Sequence, residues 1–596
     1  MCGIFGIITK DEQVLGPILI DAAKKLSYRG YDSVGCATIT KDGYISLKKD
    51  VGKVDEVAPR LNFREMAGSR GIVQLRWATF GTPSQANSQP HLDSKGLMVG
   101  AHNGNVVNNL ELRQQFKDEG MTVRSENDGE TCVHAVERYI DKGYSIIDSI
   151  RKAYDDLMGD YSFVIGIKGD EKLYAFKKGS GLVAGLANNL TCVSSDLPSI
   201  LPITNRILFI DDGEIAILQS NEIELRSVKD GTIIQRQFET ITESMETAKK
   251  GGYAHFMLKE IHEQAQVARE LIHLLENSKN VLPMVERIAK ARNLYLVGCG
   301  TSYHACLLGA IYIANLAGKP AIPVLAPQFI TQYGSTLTPD DVGIFVSQSG
   351  ETKDVLNALA VAKNKGTLVL GLVNVIGSTL MKASELYLPL VCGYEISVPA
   401  TKTFTNQVIS FLYLALKMGE YGTSGILELP NLIEKTISQS EQQLDSLKNL
   451  LDTWKDTYCL GYGSTYPIAL EGALKLKEVT DIHCEGLLST EFKHGPLAAV
   501  RDGYPIIFIA GPEDVALIVS GINEVACRGA ETIVICEENP RLQANASGVI
   551  KLPVAGPIYN PILAIIPMQL LAYHISLSRG FDPDYPRNLS KTLTVD

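Results

Sequence analysis

Hydrophobic and polar positions follow two different rhythms along this 596-residue chain. Up to about residue 240, short apolar runs of strand length recur, punctuated by turns such as Lys41-Asp42-Gly43. Ile4–Ile8, Val34–Thr38, Gly71–Leu75, Leu97–Gly100, Ser162–Gly166 and Arg206–Ile210 read as strands. Helical spacing is expected near 16–27, 107–119 and 129–142. Many strands with a few flanking helices predict sheets stacked between helical layers.

Residues 241–292 read as a helical linker between the two halves. From 293 the rhythm changes to strands alternating with helices, which predicts a parallel sheet. The pattern occurs twice. Leu294-Tyr295-Leu296-Val297-Gly298-Cys299-Gly300-Thr301-Ser302 opens one unit, and Tyr458-Cys459-Leu460-Gly461-Tyr462-Gly463-Ser464-Thr465 opens the other. Each is a strand, a glycine-bearing loop with hydroxyls, then an apolar helix. The expected organisation is therefore 2–240, a linker at 241–292, α/β domains at 293–425 and 430–580, and a tail at 581–596.

Composition narrows the function. A net charge of −11 argues against nucleic acid as a partner. On the sequence, no apolar run is expected to approach the ~18 residues that cross a bilayer, so no membrane role is expected. The start of the chain has neither a basic leader nor a secretory apolar stretch, which predicts a cytoplasmic protein. Eleven cysteines lie scattered without C-x-x-C pairs, so neither a zinc site nor a disulfide framework is indicated. Cys132, Cys192 and Cys306 sit in apolar runs and read as core fillers.

The candidate chemistry begins at Met1-Cys2-Gly3. Removal of Met1 would leave Cys2 carrying both a thiol and a free α-amine, which can take the thiol's proton. Arg29-Gly30-Tyr31-Asp32-Ser33, Arg76-Trp77-Ala78-Thr79, His102-Asn103-Gly104-Asn105 and Ser125-Glu126-Asn127-Asp128 follow in order. Taken singly, Arg76 reads equally as a surface ion pair, Asn103-Gly104 as a hairpin turn and Asp128 as a helix cap. Together with Cys2 they resemble the N-terminal-nucleophile glutamine amidotransferase family. The resemblance implies an α+β four-layer sandwich. Cys2 would attack the glutamine side-chain amide, with the Asn103 side chain and the Gly104 N–H as oxyanion donors. Arg76 would take the α-carboxylate and Asp128 the α-ammonium. Arg29, Trp77 and Thr79 complete the glutamine site by the same resemblance, Trp77 also matching the family's ammonia gate.

Two positions depart from the sugar-aminating branch, which usually has His where this chain has Phe80 and Gln89. Gln89-Pro90 and His102-Asn103-Gly104-Asn105 look more like amidophosphoribosyltransferases. That activity needs an acidic Asp-Asp loop after a strand; Asp211-Asp212-Gly213-Glu214 reads as a hairpin, and Asp340-Asp341 precedes its strand.

In the second half, Ser347-Gln348-Ser349-Gly350-Glu351-Thr352 joins a strand to a helix and gathers hydroxyls, an amide and N–H groups suited to a phosphate. Cys299, Thr301 and Ser302 would line the same pocket from the neighbouring strand end. These motifs resemble sugar isomerase domains, so two doubly wound parallel sheets are expected. Glu471, Lys475 and Glu478 fall at i, i+4 and i+7 on one helix face; spacing alone favours a solvated ion-pair ladder there. With Glu491-Phe492-Lys493-His494-Gly495-Pro496 and the terminal Pro586-Arg587-Asn588-Leu589-Ser590-Lys591, this helix resembles the isomerising glucosamine-fructose-6-phosphate aminotransferase family. The resemblance implies glutamine and fructose 6-phosphate as substrates and a homodimer that shares its synthase site. His494 would open the sugar ring from the other subunit, Lys591 would form a Schiff base, and Glu478 would move a proton between C1 and C2. Lys475, Glu471 and Val398 would contact the sugar, although Ala400 stands where the family usually has Ser. No step calls for a metal or redox cofactor. A phosphosugar sensor without catalysis is the rival from another class; it would need neither Cys2 nor Lys591.

Overall fold

The computed structural model describes residues 2–241, 250–444 and 454–591. The chain divides into two compact units, Met1–Ala248 with Ser590–Asp596, and Lys249–Leu589.

The first unit contains an eight-stranded and a seven-stranded antiparallel sheet. The strand Gly3–Val14 lies in the middle of the larger sheet, between Leu190–Ser194 and Ala67–Arg76. Its side chains alternate as a two-residue period requires. Phe5 and Ile7 point into the layer formed with the helix Gly16–Leu26, while Ile4 and Ile8 point into the layer shared with the second sheet. The second sheet behaves likewise. Phe163 and Ile165 pack on the helices Asn109–Asp118, Asp128–Asp141 and Ile146–Asp156, and Val164 faces the first sheet. The result is helices, sheet, sheet, helices. Gly6 marks the close approach of the sheets, because a Cβ there would meet Val193 and Val164 at 3.1 and 3.2 Å. The six expected strands and three expected helices are all present, but the turn at Asp211-Asp212 is not the expected hairpin: Arg206–Phe209 belongs to the larger sheet and Glu214–Gln219 to the smaller, so the turn crosses between sheets.

The second unit contains two five-stranded parallel sheets. In spatial order the first runs Ile322–Leu325, Leu294–Gly298, Val342–Ser347, Leu368–Val373 and Leu386–Pro389. The other runs His483–Leu488, Asp456–Gly461, Pro505–Ile509, Glu531–Glu537 and Gly548–Leu552. Both follow the order 2-1-3-4-5, so the internal repeat is a repeat of topology. One large apolar core joins them through the helices Thr301–Ala317, Lys402–Met418, Tyr466–Thr480 and Gly556–Ser578.

Two expectations change. The stretch expected as a linker contains the helices Phe256–Asn277 and Val281–Lys290, and the first buries Met257, Ile261, Ala268, Leu271, Ile272 and Leu275 in that core. Residues 242–249 of it lie outside the described residues. The helix Gly556–Ser578 is, by length and composition, apolar enough to cross a membrane, against the expectation that no run approaches this. Its apolar window is 83% buried between the two sheets' helices, and Pro561 and Pro567 interrupt it, so it is the core helix of the unit.

Candidate active sites

Cys2 stands at the head of the central strand Gly3–Val14, buried. The main chain at Trp77, just past the end of the adjacent strand, grips its sulfur: the Trp77 N–H donates to Sγ at 3.3 Å, and the thiol donates to the Trp77 carbonyl at 3.5 Å. Burial pushes the Cys2 thiol up, and the Trp77 N–H and the Arg76 charge oppose it. The indole of Trp77 meets Tyr31 edge to face at 5.8 Å. Arg29 Nε donates to the Cys2 carbonyl at 3.2 Å and its Nη1 pairs with Asp196 at 3.3 Å, so it braces the Cys2 backbone.

Arg76 is fully buried. One guanidinium nitrogen donates to the carbonyls of Phe80 and Gly81, while Nε and Nη1 have no hydrogen-bond partner among the described residues. Leaving buried donors unmatched typically costs ~1–3 kcal/mol each, so these two, on different edges of the guanidinium, leave it able to take an incoming anion. Asp128 begins the helix Asp128–Asp141; its Oδ2 accepts the Val106 N–H at 3.0 Å and lies 3.4 Å from His102 Nε2. Asn103 is buried, and both ends of its amide lack a partner among the described residues. Gly104 has φ +108°, and a Cβ there would fall 2.0 Å from the Asp160 carbonyl, so no other residue fits. None of the single-residue readings holds: Arg76 is buried, Asn103 and Gly104 lie inside the strand Met98–Val106, and the cap of the helix is Asn127. Thr79 is exposed, and Phe80 is half-buried.

In the second unit, the loops after Leu294–Gly298 and Val342–Ser347 meet where the strand order reverses, the usual ligand position in such sheets. The Ser347 hydroxyl lies 3.1 Å from that of Thr352 and accepts the Gly350 N–H at 2.9 Å. The Ser349 hydroxyl accepts the Glu351 N–H at 3.2 Å, and the Gln348 carbonyl accepts the N–H groups of Asn374 and Val375. Ser302 accepts from Gln407 at 2.9 Å. Cys299 is half-buried beside them. Val398 is buried, with its N–H on the Asp584 carbonyl at 2.9 Å.

The charged helix face overturns the reading from spacing. Glu471 and Lys475 are fully buried, and the ladder faces the first sheet's helix instead of water. Lys475 Nζ lies 2.6 Å from Glu478 and 3.3 Å from Glu471. Thr301 donates to one Glu471 oxygen at 2.9 Å, and His304 Nδ1 holds the other at 2.7 Å. Burial would raise the Glu471 carboxyl, but Lys475, His304 and Thr301 together hold it below its ordinary value. Burial would lower Lys475, and the two glutamates outweigh it and raise the ammonium. His304 was not foreseen; its signal was its place one turn after Thr301. His494 is exposed, in the short turn Phe492–His494. Lys591 is the last described residue and groups with the first unit. Met1 and residues 592–596 lie outside the described residues.

Comparison with known proteins finds a family model in each half of the chain. A glutamine amidotransferase domain matches residues 75–201, and a SIS domain matches residues 287–417 and again 450–579. A Methanothermobacter thermautotrophicus protein named glutamine–fructose-6-phosphate aminotransferase (isomerizing) is 39% identical over 100% of both chains. Proteins of that name from Thermococcus kodakarensis and Aquifex aeolicus are each 36% identical, again over 100% of both chains. Among solved structures, the C-terminal domain of glucosamine-fructose-6-phosphate aminotransferase from Francisella tularensis is 30% identical with a TM-score of 0.53, covering 57% of this chain and 100% of its own. Tagatose-6-phosphate ketose/aldose isomerase from Escherichia coli, 20% identical with a TM-score of 0.50 over 56% of this chain and 95% of its own, shares the fold. Full-length likeness in sequence, a glutamine amidotransferase domain and a repeated SIS domain converge: the chain belongs to the isomerizing glutamine–fructose-6-phosphate aminotransferase family.

Proposed function

We propose that this enzyme converts glutamine and fructose 6-phosphate into glutamate and glucosamine 6-phosphate. The observation that carries the reading is the pairing, in one chain, of the Cys2–Arg76–Asn103 centre with hydroxyl-rich loops beside the buried Glu471–Lys475–Glu478 face. In the first unit the Cys2 thiolate attacks the side-chain amide. Asn103 and the Gly104 N–H hold the oxyanion of the tetrahedral adduct, whose collapse breaks the C–N bond, releases ammonia and leaves a thioester that water hydrolyses to glutamate. Arg76 and Asp128 hold the two charged ends of glutamine.

In the second unit Ser347, Gln348, Ser349 and Thr352 bind the phosphate, and Thr301 and Ser302 bind sugar hydroxyls. Lys591 condenses with the C2 ketone, and ammonia displaces it to leave a 2-imino sugar. Glu478 removes a proton from C1 and returns it to C2, which yields the 2-amino aldose; Lys475 beside it steadies the charge. Exposed His494 opens the ring in the partner subunit of a homodimer, and ammonia passes to the sugar without release. The setting is the cytoplasm. The test is product analysis with glutamine and a panel of ketose phosphates. Glucosamine 6-phosphate from fructose 6-phosphate at the highest kcat/KM supports the reading; a preference for another ketose phosphate, or glutamine hydrolysis with no amino sugar, overturns it.

A further inference from the structure

Gln89 is fully buried, and its side-chain amide makes a two-point contact with one residue of the strand Met98–Val106. Its Oε1 accepts the His102 N–H at 2.8 Å, and its Nε2 donates to the His102 carbonyl at 3.0 Å. The polarity of that peptide fixes which way the amide points, because an N–H needs an acceptor and a carbonyl a donor.

The register explains why a side chain is needed here. The short strand His91–Leu92 pairs antiparallel with Met98–Val106, His91 opposite Gly100 and Leu92 opposite Val99. Carried two residues further, that register sets position 89 opposite His102. Pro90 has no N–H to continue the ladder. The Gln89 amide therefore serves as the missing strand partner, one residue before Asn103. The same Oε1 abuts the helix that starts at Asp128, since a Cβ on Gly129 would meet it at 2.5 Å. A second set of bonds holds the loop carrying Gln89: Lys49 donates to the Ser88 carbonyl at 2.5 Å, and His91 Nε2 reaches Asn127, the cap of that helix, at 3.0 Å.

We propose that Gln89 is a positioning residue of the glutaminase centre: by pairing with both main-chain groups of His102 it sets the Asn103 side chain and the Gly104 N–H at the place where the oxyanion forms. This rests on the reading of Asn103 and Gly104 as oxyanion donors. It also gives the departure from His at this position a function, because an imidazole carries its donor and acceptor on divergent edges and cannot match the N–H and carbonyl of one residue. Placement of a donor matters more in the transition state than in the ground state, so the effect belongs in kcat.

The test uses full-length Gln89→Met, which keeps the shape and removes both bonds, and Gln89→Glu, which keeps the size and the acceptor but not the donor. Readouts are glutamine hydrolysis, the affinities for glutamate and for glutamate γ-semialdehyde, whose thiol adduct is tetrahedral, and ammonia-dependent synthesis as a check of folding. The expected result is a kcat loss of ten- to a hundredfold with KM changed less than about threefold. Aldehyde affinity should fall in parallel, with glutamate affinity and ammonia-dependent synthesis unchanged. A kcat within about twofold of the parent in either variant overturns the proposal, as does an equal loss of affinity for both ligands, which marks a packing role. An Asn103→Ala enzyme with undiminished kcat overturns the oxyanion assignment beneath it instead, which keeps the two failures distinct.

Discussion

Lys475→Met removes a cation that lies between two carboxylates, Glu471 and Glu478, on the helix Tyr466–Thr480. Met keeps most of the stem's volume, so the change isolates the charge. Removing one partner of a buried pair typically costs ~3–5 kcal/mol. Here the lower end applies, because Glu471 retains Thr301 and His304 and the Glu478 side chain is 17% exposed. For a unit of roughly 340 residues, about 3 kcal/mol lowers Tm by ~4 °C. The pH dependence has a definite sign. In the parent, Glu471 titrates below its ordinary value, so its contribution is present above the unfolded pKa of ~4.3 and is lost as pH falls through the lower folded value. Without Lys475 the largest influence that lowers the carboxyl is gone while burial still raises it, so the folded pKa rises and the variant's penalty shrinks as pH falls and grows as pH rises. The Tm difference should therefore be small near pH 4 and full at pH 7. The chain has two tryptophans, and in a Trp77→Phe background buried Trp454 reports the second unit alone. A Tm difference under about 1 °C that is flat with pH would refute the argument, since it would mean the carboxylates carry no charge beside Lys475.

Other expectations concern the first unit and the tail. Asn103→Ala should cut glutamine turnover on the order of a hundredfold or more, as loss of an oxyanion donor does, with ammonia-dependent synthesis retained. Phe80→His should change it less than about tenfold, because Arg76 already holds the Phe80 main chain; a large gain there, with free ammonia preferred over glutamine in the parent enzyme, would mean that the glutaminase centre has decayed. Borohydride with fructose 6-phosphate should trap an adduct on Lys591, and Lys591→Arg should abolish it; an adduct elsewhere, or normal synthesis by the Arg variant, would reduce the tail to a lid.

The strands of the first unit were legible because a half-buried strand declares itself by alternation, as Ile4, Phe5, Ile7 and Ile8 do. The doubled α/β rhythm likewise declared two parallel sheets. What sequence reading could not supply was burial. Glu471, Lys475 and Glu478 have the spacing of a surface ladder, and what puts them inside is a helix that begins at Thr301, 170 positions earlier. The same blindness hid His304, which matters only once Glu471 is beside it. Arg29 was legible as part of the centre but not as a brace for the Cys2 carbonyl, because a guanidinium suits either partner. Gln89 stood out as a departure, and its purpose emerged from the register of a two-residue strand.

The central claim is that nitrogen released at Cys2 becomes the sugar's amine. It is tested most directly by giving the enzyme amide-15N glutamine and fructose 6-phosphate with excess unlabelled ammonium, then measuring the isotope in the product by mass spectrometry. The account predicts glucosamine 6-phosphate labelled at its amine with the parent enzyme and unlabelled product with Cys2→Ala. Unlabelled amino sugar from the parent enzyme, or label retained with Cys2→Ala, would contradict it.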